Sequence, residues 1–248
     1  MRIAEIYRSL QGEGRLTGVE SVFVRTSGCN LRCRFCDTRY TSWEPEGDYF
    51  SVEEVLALVD RAAREPASAE AALTPRSPAA EAALDHVVVT GGEPMLLPEL
   101  VPLCAELRRR GMHITIETAG TRYQPVECDL MAVSPKLSNS TPHVDEAPQW
   151  IDLHERTRAA PEILRRLNAE YDCQFKFVVD SLAACEEVTV YLADFPEIDR
   201  RRILLMPMGT NSAELAAKAQ WLEPYCLEHG LTFCPRRHIE WFGCHRGT

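Results

Sequence analysis

Residues Asp85–Thr90 (DHVVVT) form a continuous apolar run that stops at Gly91-Gly92-Glu93-Pro94, and a helical pattern follows from Pro98 to Arg110. Such a run reads as a strand buried on both faces, the habit of parallel sheets. The same succession recurs along the chain. Ser21–Thr26 (SVFVRT) leads into a cysteine-rich loop, and His113–Glu117 ends in Glu117-Thr118-Ala119-Gly120. Asp129–Val133 ends in Ser134-Pro135-Lys136, Gln174–Val179 precedes a helical stretch Asp180–Phe195, and Arg201–Met206 ends in Pro207-Met208-Gly209. Strand, polar strand-end motif and helix, repeated this often, mean βαβ units and a parallel sheet. Ligands of such sheets gather at the carboxyl ends of the strands. The helices are too few for an eightfold barrel. The pattern therefore predicts an α/β fold: an open, partial barrel of about six parallel strands with flanking helices, a single domain over residues 1–248.

Between these units the sequence is plainer. Arg2–Tyr7 is a first strand running into Leu10-Gln11-Gly12-Glu13-Gly14, where glycines on either side of a carboxylate suit a turn that exposes backbone to a ligand. Ser51 and Glu54 form a capping box for a helix with Val52, Val55, Leu56 and Val59 on one face, ending by Pro66. Residues 66–83 are rich in Ala, Pro and Ser without an apolar stripe and read as a mobile surface insert. The stretch 139–160 is polar and poorly patterned, and Pro161–Tyr171 reads as a helix. Asn211 with Glu214 caps a helix to His229, closed by Gly230. Leu231–Cys234 is a last short strand, and 231–248 as a whole form a tail expected near the substrate site.

Cys29, Cys33 and Cys36 are spaced C-x3-C-x2-C, with Phe35 just before the last. Three thiolates cannot fill a four-coordinate metal site by themselves. Two readings stay open at this point. One is a zinc knuckle completed by a distant fourth ligand; the other is a [4Fe–4S] cluster held by three irons, its fourth iron open to a substrate or cofactor. Arg25, at the end of the strand entering the loop, is placed to grip a carboxylate with its planar fork. The glycines at 91 and 92 would let backbone approach a ligand, and Glu93 can accept from an ammonium group. Ten cysteines in 248 residues, with no export signal at the start, do not resemble a secreted disulfide framework, so a reducing cytoplasm is expected. No run approaches the ~20 apolar residues that span a bilayer, so no membrane partner is expected. A net charge of -10 argues against a broad phosphate-binding surface, and hence for a small-molecule substrate over nucleic acid.

Taken together, LQGEG, FVRTSGCNLRCRFCDT, VVVTGGEP, ETAG, SPK and RRHIEWFGCHRGT resemble the radical S-adenosylmethionine (SAM) enzymes, and more closely the 7-carboxy-7-deazaguanine synthases. The matching blocks cover nearly the whole chain apart from 66–83 and 139–172. Cys-Asp-Thr after the cysteine loop, with LQGEG upstream, is their most specific part, whereas GGEP marks only the superfamily. The resemblance implies a lyase of queuosine and deazapurine biosynthesis. It would convert 6-carboxy-5,6,7,8-tetrahydropterin to 7-carboxy-7-deazaguanine by radical ring contraction with loss of ammonia, using SAM, a [4Fe–4S] cluster and Mg2+. By the same resemblance Cys29, Cys33 and Cys36 are cluster ligands and Thr38 is the magnesium ligand. Phe35, Cys36, Asp37, Gly92, Glu93, Glu117, Ser134, Pro135, Lys136, Met206, Pro207 and Met208 would surround SAM. Leu10, Gln11, Gly12, Glu13, Arg25, Thr90 and His238 would meet the pterin. An electron donor such as flavodoxin or ferredoxin and a homodimeric state are implied as well. Two rivals are an activating enzyme that makes a glycyl radical on a partner protein, and a non-catalytic zinc or iron–sulfur protein. The remaining cysteines, Cys104, Cys128, Cys173, Cys185, Cys226, Cys234 and Cys244, are read as core or surface residues.

Overall fold

A sheet of nine strands runs through the described residues, 1–64 and 84–247, of this computed structural model. The insert expected at 66–83 and Thr248 lie outside those residues. The strands are β1 (Arg2–Leu10), β2 (Glu20–Thr26), β3 (Asp48–Tyr49), β4 (His86–Gly91), β5 (His113–Thr118), β6 (Leu130–Val133), β7 (Cys173–Val179), β8 (Ile203–Pro207) and β9 (Thr232–Phe233). Their order is β3-β1-β2-β4-β5-β6-β7-β8-β9. From β2 onward every pairing is parallel, as the repeated βαβ units require. The first strand differs. β1 pairs antiparallel with both β2 and β3, because residues 11–19 are too short a connection for the crossover that a parallel neighbour needs.

Helices α1 (Arg39–Ser42), α2 (Val52–Arg64), α3 (Leu100–Arg109), α4 (Pro148–Arg158), α5 (Pro161–Glu170), α6 (Leu182–Ala193), α7 (Ser212–Glu228) and α8 (Arg237–Phe242) complete the described fold. The capping box of α2 is formed: Ser51 N–H donates to Glu54 Oε2 at 2.7 Å and Glu54 N–H to Ser51 Oγ at 3.2 Å. Asn211 caps α7 by accepting from Glu214 N–H at 2.9 Å. Helix α4 lies in the stretch that looked unpatterned. It buries only His154, so no apolar stripe marks it in the sequence. The six-residue α8, within the tail, was unmarked for a similar reason. Among the described residues no helix is long and apolar enough to cross a membrane.

Alternation along the strands divides the sheet into two faces. Val22, Val24, Val87, Val89, Ile114, Ile116, Met131, Val133, Phe175, Phe177 and Leu205 pack with the helices, against residues such as Val55, Val59, Leu103 and Leu107. Cys104, Cys173, Cys185 and Cys226 belong to this core and act as small apolar side chains. The intervening positions, Phe23, Arg25, Thr90, Glu117, Ala132, Lys176, Val178 and Met206, face the opposite way and line a cavity. The parity of each strand thus decides which of its residues reach the site.

Candidate active site

The cysteine loop forms one wall of this cavity, with Cys29, Cys33, Phe35, Cys36, Asp37 and Thr38 all at its surface. Its backbone is braced from β4. Gly92 N–H donates to Thr26 O at 3.1 Å, Glu93 N–H to Gly28 O at 2.9 Å, and Gly28 N–H to Thr41 O at 2.7 Å. A Cβ on Gly91 would run into the Thr26 carbonyl, and one on Gly92 into that of Gly28. The glycine pair is therefore required by the approach of the loop itself, in addition to any approach of a ligand. On the far side, Arg32 N–H donates to His154 Nδ1 at 3.1 Å, and Arg34 N–H to Ser140 O at 3.0 Å.

All ten cysteines are unpaired. Cys29 and Cys33 are pushed up to about 12, chiefly by burial; Glu93 adds to the rise at Cys29, and Lys136 opposes it at Cys33. Free, these thiols keep their protons, which a metal must displace to bind. Among the described residues no three His, Cys, Asp or Glu side chains converge on a point as one ion would need. Three thiols of one loop share the cavity wall, and three thiolates on a four-iron cluster would leave one iron facing the cavity open.

Thr38 Oγ1 lies 3.9 Å from Cys36 Sγ and accepts from Thr41 Oγ1 at 3.2 Å. Although it occupies the N-cap position of α1, its side chain makes no capping hydrogen bond. The hydroxyl is on the cavity wall with acceptor capacity left for a cation.

Opposite the cysteines a chain of alternating charge crosses the cavity. Lys176, 1% exposed, donates to Glu13 Oε2 at 2.8 Å and to Glu117 Oε2 at 3.2 Å. Arg236, 5% exposed, meets Glu13 Oε1 at 3.3 Å, pairs with Asp37 and donates to Gly209 O at 2.7 Å. Gln11 Nε2 donates to Glu117 Oε1 at 3.0 Å. Burial by itself would raise Glu13, but the cations Lys176 and Arg236 overcome it and hold the carboxyl well below its ordinary range. His238 packs on Gly12, and its Nδ1 lies 3.8 Å from Glu13 Oε1. Burial lowers this imidazole from its ordinary range, against the pull of Glu13. The tail is fixed here by Arg237 N–H, which donates to Gly12 O at 2.9 Å, and by Cys234 Sγ, which accepts from Gly14 N–H at 3.2 Å.

Arg25 projects from β2 into the same cavity, where Glu5 Oε1 accepts from its Nε at 2.5 Å and Tyr7 Oη from its Nη2 at 2.6 Å. Lys136 is folded back on Ser134, donating to its carbonyl at 2.8 Å and its hydroxyl at 2.7 Å.

Most residues singled out by sequence therefore share one cavity: Leu10, Gln11, Gly12, Glu13, Arg25, Cys29, Cys33, Phe35, Cys36, Asp37, Thr38, Thr90, Gly92, Glu117, Ser134, Lys136, Met206, Met208 and His238. Three do not line it. Pro135 and Pro207 fall between lining neighbours, as alternate residues of an extended segment must. Glu93, expected to accept from a ligand's ammonium, is fully buried and accepts instead from Met95 N–H at 3.1 Å, Thr118 Oγ1 at 2.7 Å and Ala119 N–H at 2.8 Å. That carboxylate ties the end of β4 to the end of β5. Lys176, Arg236, Tyr7 and Phe23 were not anticipated. The alternation of QFKFVV, with Phe175, Phe177 and Val179 on one face, was the available signal for Lys176.

His154 gives the cysteine loop a pH-sensitive support. Its Nδ1 accepts from Arg32, so Nε2 carries the proton and donates to Ser140 Oγ at 2.9 Å, and that hydroxyl donates to Leu137 O at 2.6 Å. Burial pushes the imidazole down to about 4. Above the ordinary histidine range the folded and unfolded chains are both neutral there and the link is at full strength. As pH falls from about 6.5 to about 4, only the unfolded chain takes up the proton, and stability declines. In denaturant titrations, the stability gap between wild type and His154→Gln is expected to narrow from about pH 7.5 to about pH 5. A gap independent of pH would remove His154 from this role.

The Radical SAM superfamily model matches residues 23–160. The chain is 42% identical over 247 residues to the 7-carboxy-7-deazaguanine synthase of Rhodopirellula baltica, covering 99% of this chain and 88% of that protein. It is 41% identical to the enzyme of the same name from Halobacterium salinarum, covering 96% and 88% respectively. The crystal structure of QueE from Escherichia coli superposes with a TM-score of 0.65 at 24% identity, over 96% of this chain and 94% of that one, and shares the fold.

Proposed function

Because the chain belongs to the 7-carboxy-7-deazaguanine synthases of the radical SAM superfamily, we propose that its cavity carries out their ring contraction with the residues described above. The enzyme is a lyase of deazapurine biosynthesis; 6-carboxy-5,6,7,8-tetrahydropterin is the substrate in this reading. The observation that carries it is the meeting, in one cavity, of three unpaired thiols with a buried array of charge.

Cys29, Cys33 and Cys36 would hold the [4Fe–4S] cluster by three thiolates, and Phe35, Gly92, Ser134, Lys136, Met206 and Met208 would surround SAM. Together the cluster and SAM would supply the abstraction of a hydrogen atom from the pterin. Arg25 is held rigid by Glu5 and Tyr7, so its remaining N–H groups are oriented before a carboxylate arrives. Glu13 and Glu117 are both paired with Lys176 and offer acceptors to the N–H edge of a pterin. Thr90 and His238 stand at the cavity wall, where each can fix the ring in its plane. The glycyl-radical activating reading leaves this array without a purpose.

Thr38 would ligate Mg2+, which keeps most of its shell in water and substrate oxygen. Thr38→Val keeps the shape and removes the oxygen. Product formation is expected to fall by on the order of tenfold to a hundredfold and to lose its dependence on magnesium, because the substrate loses its placement. Cluster absorbance is expected to stay as in wild type. Wild-type turnover that survives rigorous removal of divalent ions would dismiss the magnesium role.

A flavodoxin- or ferredoxin-like donor, a homodimeric state and a cytoplasmic location belong to the same reading; ten unpaired cysteines suit a reducing compartment. The reading as a whole is tested by incubating reconstituted, reduced protein with SAM and the carboxytetrahydropterin. A product with the mass of 7-carboxy-7-deazaguanine supports it, and SAM cleavage without that product overturns it.

A further inference from the structure

Strict alternation along β1 would put Ile3, Glu5 and Tyr7 on one face of the sheet. They do not share a face. Ile3 is buried in the core among the helices and Ile6 packs against the same core, whereas Tyr7 lines the cavity and Glu5 reaches Arg25. The inversion lies at Ala4. Ile3 pairs with Thr26 and Glu5 with Arg25, so β1 advances two residues where β2 advances one. A bulge of this kind re-aims the side chains beyond it. Without it Glu5 would point into the apolar core and Arg25 would lose its partner.

The bulge and the carboxylate that it turns are held from outside the strand. Gly47, at φ 99°, lies so close that a Cβ there would run into the Ile3 carbonyl and Ala4 Cα, and its own carbonyl accepts from Arg2 Nε at 3.1 Å. Tyr40 Oη donates to Glu5 Oε1 at 2.8 Å, the same oxygen that accepts from Arg25 Nε. Arg246 arrives from the tail, 241 positions away in sequence, and meets Glu5, Tyr40 and the bulge together. Its Nε donates to Glu5 Oε2 at 3.4 Å, its Nη1 to Glu46 Oε2 at 2.8 Å and its Nη2 to the Ala4 carbonyl at 3.3 Å. Its guanidinium carbon stands 4.2 Å from the centroid of the Tyr40 ring. Neither Glu5 nor Arg246 lines the cavity, so both reach it only through Arg25. Among the described residues Arg25 Nη1 donates to no protein group, which leaves both of its protons for a ligand.

We propose that Arg246 and Glu5 are positioning residues for the substrate carboxylate: the tail arginine, seated on the Ala4 bulge, holds Glu5, and Glu5 fixes the Arg25 guanidinium with Nη1 free for the ligand. This role rests on the reading of Arg25 as the group that meets the carboxylate of the pterin. Its sign is opposite to that of plain electrostatics. A second carboxylate beside Arg25 weakens the attraction for an anionic ligand when charge alone acts. When Glu5 acts by position, its loss weakens carboxylate binding, because a long side chain must then be ordered as the ligand arrives. The tail thereby takes part in substrate binding through residues that never touch the substrate.

Equilibrium dialysis of the reconstituted holoenzyme, with SAM and magnesium present, against 6-carboxypterin and against pterin tests the proposal. Both rings are fully oxidised and do not turn over, and the ratio of the two affinities isolates the carboxylate contact. Wild type is expected to prefer 6-carboxypterin, and Arg25→Ala to lose most of that preference. Glu5→Ala is expected to reduce the preference by on the order of tenfold. Arg246→Ala is expected to reduce it by about threefold, since that arginine is half-exposed. Glu5→Gln keeps an acceptor for Arg25 Nε and is expected to lie between wild type and Glu5→Ala. The double variant is expected to match Glu5→Ala, because Arg246 acts through Glu5. Pterin affinity and iron content are expected to stay as in wild type throughout, which a general loss of structure would not allow. A preference unchanged or strengthened in Glu5→Ala overturns the positioning role, and additive losses in the double variant overturn the link from Arg246. Where Glu5→Ala does not fold, the exposed Arg246→Ala decides, and an unchanged preference there overturns the proposal. A wild type that does not distinguish the two pterins, or an Arg25→Ala that keeps the preference in full, would overturn the reading of Arg25 itself, a result distinct from failure of the positioning residues alone.

Discussion

Replacing Cys33 by alanine is expected to abolish cluster assembly and all SAM cleavage while the chain still folds. The thiol is buried at the cavity wall, and a three-thiolate site has no spare ligand to substitute for it. The loop around it does not depend on that sulfur. The Cys33 carbonyl accepts from Trp43 Nε1 at 3.1 Å, and the neighbouring Arg32 and Arg34 amides are held by His154 and Ser140. The loss is thus one of iron, not of structure. Anaerobically reconstituted wild type and variant would be compared by iron content, optical absorbance and methionine release from SAM, with far-ultraviolet circular dichroism as the control for folding. Cys244→Ala, which removes an exposed thiol outside the cavity, is expected to behave as wild type. An intact cluster spectrum in Cys33→Ala would remove Cys33 from the ligand set.

The second large effect is expected at Lys176. Lys176→Met retains the length and volume of the side chain but leaves Glu13 and Glu117 without the ammonium between them. Breaking a buried ion pair on one side typically costs about 3–5 kcal/mol, because the remaining charge stays desolvated. For a chain of this size that lowers the melting temperature by about 10 °C. Arg236 still faces Glu13, so the chain is expected to fold at neutral pH, but pterin-dependent turnover should be lost. The sign of the effect can be checked directly. Adding Glu117→Gln removes the carboxylate left without its cation, and about half of the lost stability should return even though a second buried group has been altered. A double variant less stable than Lys176→Met by the full cost of Glu117→Gln alone would mean that the two side chains are not coupled.

Much of the architecture was legible because strand and helix periods differ and because the strands are strongly marked. DHVVVT, HITIE and RRILLM have no other stable use than a buried parallel sheet, and the polar residues that follow them had to fall at its carboxyl ends. The three helices that escaped notice, α1, α4 and α8, are short or bury little: α1 is a single turn, α4 contributes only His154 to the interior, and a helix without an apolar stripe leaves no trace in hydrophobic periodicity. The antiparallel direction of β1 was likewise open until the brevity of residues 11–19 was weighed against the length of a crossover.

Within the site, sequence determined the identity of the chemistry. Cys29, Cys33 and Cys36 are close along the chain, and local spacing alone brings three thiols and Thr38 into one loop. The charged array opposite them is a tertiary product. Lys176, Glu13, Glu117 and Arg236 come from β7, the loop after β1, β5 and the tail, separated by as many as 223 positions. No periodicity links them; only closure of the sheet and the return of the tail over Gly12 do so. Glu93 makes the same point in reverse. Its place beside a glycine pair suggested a ligand contact, but a carboxylate that three protein donors can reach in the dry interior is used to join strands. Sequence by itself determined which atoms can bind metal and which strand ends carry them. Tertiary structure decided which charges face one another, because partners distant along the chain meet only after the loops between them have closed, and burial then makes each pairing obligatory.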